Sequence, residues 1–82
     1  MKELAAKYGV TLNEDRSYPS FSKQYQDDVD RIAWTETLSI WRENGKTCIH
    51  TVQGTRYRTY CKYTDEPITR ELVERELKEF AR

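Results

Sequence analysis

Cys48, His50 and Cys61 are the residues whose types and spacing come nearest to a reactive centre. A Cys-x-His pair plus another Cys supplies three zinc-type ligands. A structural zinc site wants four, closed around the ion, and no acid or second histidine falls beside these three. Cys48 and Cys61 could also form a cross-strand disulfide, but reduced thiols are expected in a reducing compartment. His50 is the only histidine. Without an orienting carboxylate or an oxyanion device, it makes a weak case for nucleophilic catalysis and reads as a hydrogen-bonded structural residue. There is no phosphate-cradling loop, no H-E-x-x-H and no paired carboxylates in a cleft-forming context. The residues therefore point to a non-enzymatic protein with no cofactor and no metal.

The run Arg56-Tyr57-Arg58-Thr59-Tyr60-Cys61-Lys62-Tyr63 is more distinctive, because basic and aromatic side chains interleave. Residues 42–63 carry Arg42, Lys46, Arg56, Arg58 and Lys62 against Glu43 alone, a local balance of +4. Residues 13–36 carry −3 and residues 65–82 carry −2, so the formal net charge of zero hides a dipolar chain. Arg and Lys on strands can neutralise phosphates, and Tyr can stack on bases. The expected function is nucleic-acid binding, to DNA or RNA, with Arg42, Lys46, Arg56, Arg58 and Lys62 on phosphates and Tyr60 or Tyr57 stacking. The alternative is a small phage- or plasmid-type inhibitor or accessory factor. It would meet a host or phage protein through Trp41, Tyr57 and Tyr63 or through the acidic helices.

The elements that must position these residues follow from period and punctuation. Lys2 to Tyr8 reads as a short helix stopped by Gly9, with Leu4, Ala5 and Tyr8 on one face. From Ser20, the steps Phe21, Tyr25, Val29 and Ile32 predict a second helix. Trp34 to Thr64 is rich in Thr, Trp, Ile, Val and Tyr, residues that favour strands. Asn44-Gly45 is a type I′ hairpin signal and Gly54-Thr55 suits type II′. The expected strands are Trp34–Glu43, Lys46–Gln53 and Arg56–Tyr63. Asp65-Glu66-Pro67 then opens a helix with the apolar stripe Ile68, Leu72, Val73, Leu77 and Phe80. The expected fold is a single α+β domain of order α-α-β-β-β-α, a three-stranded antiparallel meander with the C-terminal helix on one face.

Two-residue turns fix register. They pair Trp41 with Cys48, Ser39 with His50, Cys48 with Cys61 and Gln53 with Arg56. One face then carries Trp34, Leu38, Ile40, Ile49 and Tyr60, with Glu36, Arg42, Arg56, Arg58 and Lys62 toward its edges. The other carries Thr35, Thr37, Ser39, Trp41, Cys48, His50, Val52, Tyr57, Thr59, Cys61 and Tyr63, and no charge. The aliphatic face suits the C-terminal helix. The uncharged face is expected under Phe21, Tyr25 and Val29 of the second helix, or else open as a binding surface. The edge strands Trp34–Glu43 and Arg56–Tyr63 could pair with another subunit in a homodimer.

Two stretches resemble known DNA readers. Glu3-Leu4-Ala5-Ala6-Lys7-Tyr8-Gly9-Val10-Thr11 is similar to the first helix and turn of helix-turn-helix proteins. Two acids and Pro19 then follow where a recognition helix should stand. Asn44-Gly45-Lys46, Gly54-Thr55-Arg56-Tyr57 and the following helix resemble the three-stranded, helix-backed arm-binding domains of phage and transposon integrases, over about the last 45 residues. That resemblance implies an exposed sheet face that enters the major groove.

Composition sets the outer limits. At 82 residues the chain holds one domain, with a modest core and little room for a large cleft. No stretch approaches the ~20 apolar residues that a bilayer requires, and the first residues lack the apolar run of a secretory signal. No membrane association is expected, and the expected location is the cytoplasm.

Overall fold

The computed structural model describes residues 1–82. Its elements run α1 (Lys2–Tyr8), β1 (Thr11–Leu12), β2 (Ser20–Asp27), β3 (Ile32–Glu43), β4 (Lys46–Gln53), β5 (Arg58–Thr64) and α2 (Arg70–Phe80). The strands form one antiparallel sheet in the order β1-β2-β3-β4-β5. The α+β class stands, but the sheet has five strands rather than three. No helix is long and apolar enough to cross a membrane.

The main correction lies at residues 20–32. The segment expected as a second helix is β2 and the turn after it. A spacing of four residues returns to the same side of a helix and also of a strand, since four is a multiple of two. Phe21 and Tyr25 therefore fit both periods. Ser20, Ser22, Gln24 and Gln26 alternate with them, and β2 pairs with β3 along its length, from Ser20↔Ser39 to Asp27↔Ile32. Val29 and Ile32, assigned to the helix stripe, stand 90% and 44% exposed. Asp27 Oδ1 accepts from the Val29 and Asp30 N–H groups, the Asx geometry that turns a chain rather than coiling it.

The Asn44–Gly45 turn is as read. Both residues have positive φ, 50° and 76°, and Trp41↔Cys48, Ser39↔His50 and Glu43↔Lys46 pair across it. The β4–β5 register is not. Gln53 pairs with Arg58 instead of Arg56, Cys48 with Tyr63, and His50 with Cys61. Gly54 keeps a positive φ, but Tyr57 also turns left-handed at φ 52° and the loop spans residues 54–57. Glu36 Oε2 holds the Gly54 N–H at 2.9 Å, which ties this loop to β3. The slip is two residues, so the side chains from Arg58 to Tyr63 keep the faces assigned to them, while Arg56 and Tyr57 leave the strand for the loop. Cys48 and Cys61 are no longer opposite each other, and both are free thiols.

Both helices lie on one face. Leu4 and Ala5 of α1 and Leu72, Val73, Leu77 and Phe80 of α2 form one buried core with Phe21, Leu38, Ile40 and Ile49 of the sheet. The helices are tied to each other by Lys7 Nζ to Glu74 at 2.7 Å, Tyr8 Oη to Glu74 at 3.0 Å and Arg70 Nη1 to Glu3 at 3.0 Å. α2 begins later than Asp65-Glu66-Pro67 suggested. Thr69 is its N-cap, with Oγ1 accepting from the Leu72 N–H at 3.2 Å.

Candidate functional site: the helix-free face of the sheet

Side chains one position along each strand from the core residues point to the opposite face, and neither helix reaches it. That face reads as cross-strand rows. Trp41, Cys48 and Tyr63 make one row, and Ser20, Ser39, His50 and Cys61 the next. Ser22, Thr37, Val52 and Thr59 follow. The charged residues on it are Glu43 and Lys46, directly paired at one end. This face was expected either under a second helix or open; that segment is β2, so no helix covers the face, although Asn13 and Tyr18 lie against it.

The face is ordered by its own contacts. Asn13 Nδ2 donates to Ser20 Oγ at 3.0 Å and Ser22 Oγ at 2.8 Å, and Ser20 Oγ meets Ser39 Oγ at 3.0 Å. Tyr18 packs against Trp41 with ring centroids 5.5 Å apart, and Trp41 against His50 at 5.3 Å. Cys48 is fully buried between Trp41 and Tyr63. Burial pushes its thiol above the ordinary value, so it stays protonated and unreactive. Tyr63 Oη donates to Glu43 Oε2 at 3.2 Å, which pushes the phenol up to about 12. No group of three His, Cys, Asp or Glu side chains converges to hold a metal ion. Sequence reasoning missed the contribution of Tyr18, Asn13, Ser20 and Ser22. The alternation Ser20, Ser22, Gln24, Gln26 was the available signal for the last two.

Lys46 apart, the basic residues lie off this face and separate from one another. Arg42 clasps the β3–β4 turn, with Nη1 on Thr47 Oγ1 and Nη2 on the Gly45 carbonyl, both at 2.8 Å. Lys46 Nζ lies 2.9 Å from Asp65, and Lys62 Nζ lies 2.7 Å from Glu76, a largely buried carboxylate that Arg75 also approaches. Arg56 stands in the 54–57 loop and Arg58 at the start of β5. Both are exposed, and neither is ion-paired. Tyr60, 51% exposed, shares the helix side with Arg58 and Lys62. Tyr60, Lys62, Glu76, Glu79 and Phe80 help line an open groove of about 400 Å³ between α2 and the sheet. Tyr57 lies in the 54–57 loop, outside the paired strands. It borders a shallow depression beside Tyr25 and Trp34, whose rings stack at 5.2 Å.

The structure thus brings together Trp41 and Tyr63, and separately Arg58, Tyr60 and Lys62. It sets Arg42 and Lys46 at the far end of the β3–β4 hairpin. Compared with protein-family models, curated proteins and solved structures, the chain matches none of them significantly.

Proposed function

We propose that the chain is a non-enzymatic binding module that docks a partner protein on the helix-free face of its sheet. The observation that carries this reading is the face itself: no helix covers it, and its only charged residues are Glu43 and Lys46 at one end, the first held by Tyr63 and the second by Asp65. A polyanion would find no counter-charge there, whereas protein interfaces concentrate aromatic residues and exclude charge at their centre. Trp41 and Tyr63 would anchor the contact, with Thr37, Val52 and Thr59 beside them. The size and the single prepared surface suit an inhibitor or accessory factor. The test is capture from lysate of the host cells with the wild type, Trp41→Ala and Thr37→Lys. A prey protein retained by the wild type and lost by both variants supports the reading; identical prey in all three defeats it.

A second reading, nucleic-acid binding, is favoured by Arg56 and Arg58, which carry no acidic partner and stand near Tyr60 on the β4–β5 hairpin. Arg42, Lys46 and Lys62 would have to give up the contacts described above to join them. Gel shifts with DNA and RNA at low salt decide the matter. Binding that falls as salt rises and is lost in an Arg56→Ala, Arg58→Ala double variant supports it. No shift at low salt removes it.

A further inference from the structure

The outer edge of β5 is open over the seven residues Arg58–Thr64. The ladder geometry fixes which groups are free. Ile40 N–H donates to the Pro19 carbonyl and Asn13 N–H to the Ser20 carbonyl, so even-numbered residues of β3 bond toward β2. Alternation across β4 then turns residues 58, 60, 62 and 64 toward β4 and leaves the N–H and C=O of Thr59, Cys61 and Tyr63 pointing away from the sheet. Natural sheets guard such an edge with proline, a bulge, a covering segment or charged side chains, lysine above all; on β5 only the last is present, as Arg58 and Lys62. β5 has no proline, its pairing with β4 is unbroken, and six of its seven residues are exposed. The other edge expected to be free, Trp34–Glu43, is the central strand of the sheet.

We propose that two copies of this chain pair antiparallel through β5, centred on Cys61, to form one continuous ten-stranded sheet. The charges of β5 select the register. An incoming strand must set its outward-pointing residues opposite those of β5, and three registers keep most of a second β5 paired. Centred on Tyr60, each Arg58 faces the partner's Lys62. Centred on Lys62, the two ammonium groups meet. Like charges directly opposite destabilise a pair. Centred on Cys61, Arg58 faces the partner's Thr64, Thr59 faces the partner's Tyr63, and Tyr60 faces the partner's Lys62. No like charges then meet, each lysine lies against a tyrosine ring, and the overlap is longest. This surface is the sheet edge, distinct from the helix-free face, and the dimer would set two such faces side by side.

Light scattering over a concentration series tests the proposal. The wild-type mass should rise from 9.8 kDa toward twice that value. Cys61→Pro removes only an N–H that points away from β4, so it should hold the chain monomeric while the circular dichroism spectrum stays native. Tyr60→Lys places an ammonium opposite the partner's Lys62 twice by symmetry and should weaken dimerisation about tenfold. Tyr60→Glu, equally polar, should not. A short bis-maleimide should link wild-type dimers through Cys61, since Cys48 is buried. The Thr59→Cys, Cys61→Ser variant should link far less. A monomer at every concentration overturns the proposal and leaves the edge free for another chain. Equal dimerisation of Tyr60→Lys and Tyr60→Glu, or efficient linking through position 59, overturns the register.

Discussion

The two faces of the sheet differ by a shift of one residue along each strand, and they have been built for different purposes. On one side Phe21, Leu38, Ile40 and Ile49 lie under two helices, and the borders are crossed by ion pairs such as Lys7–Glu74 and Lys62–Glu76. On the other, small hydroxyls and aromatic rings are held by hydrogen bonds and ring contacts, with Asn13 and Tyr18 against one end and no helix above. The first face supplies stability; the second contributes little apolar burial and is left available. Leu38, Ile40 and Ile49 lie on the helix side, and most of the sheet's serines and threonines lie on the other.

The largest effects that would break this comparison concern the core. Leu38→Ala should cost about 2–5 kcal/mol in urea unfolding. Thr37→Ala, its neighbour on the open face, should stay within roughly 0.5–1 kcal/mol. Comparable losses would mean that the open face also holds the fold. Next is the cap of α2. Thr69→Ala leaves the Leu72 N–H without its acceptor and should cost about 1 kcal/mol, read as a lower thermal midpoint with an unchanged open face.

Acid titration should act on the helix layer. Hydrogen bonds from Lys7 and Tyr8 hold Glu74 below its ordinary value of 4.5, and Arg75 does the same for Glu66. A carboxylate with a lowered folded pKa stabilises above its ordinary value and loses that contribution as the pH falls through the folded one. Melting temperature should therefore fall on acidification below about pH 4.5, and Lys7→Ala should flatten the slope.

The smallest effect belongs to the open face. Glu43 raises Tyr63 to about 12 from an ordinary 10.0. A raised phenol stabilises below 10.0 and loses that contribution as pH climbs toward 12. Tyrosinate absorbance should show Tyr63 titrating late, and Glu43→Gln should bring it back toward its ordinary value.

How much of this could be read from the residues depended on whether local chemistry had one meaning. Asn44-Gly45 did, because both positions need positive φ, and so did Lys2–Tyr8 before Gly9. The stripe Leu72, Val73, Leu77 and Phe80 located α2, though it starts at Arg70 under a Thr69 cap rather than at Asp65-Glu66-Pro67. Phe21 and Tyr25 had two meanings, since their spacing serves either period; the alternating Ser20, Ser22, Gln24 and Gln26 were the one local hint of a strand, and pairing with β3 decided it. Gly54 accepts positive φ in a two-residue turn and in the longer loop alike, so the register slipped by two. The open face survived that slip because an even shift preserves sidedness. The basic run was plain in sequence but scattered in space, since hairpin geometry sends Arg42 and Arg58 to opposite ends of the sheet.

The central claim is that the helix-free face meets a protein. It is tested most directly by placing the photo-crosslinker p-benzoylphenylalanine at Val52 on that face, or at Lys78 on the exposed side of α2, and irradiating the host cells. The account predicts a protease-sensitive adduct from position 52 and none from position 78. An adduct from position 78 alone, or a nuclease-sensitive adduct from position 52, would contradict it.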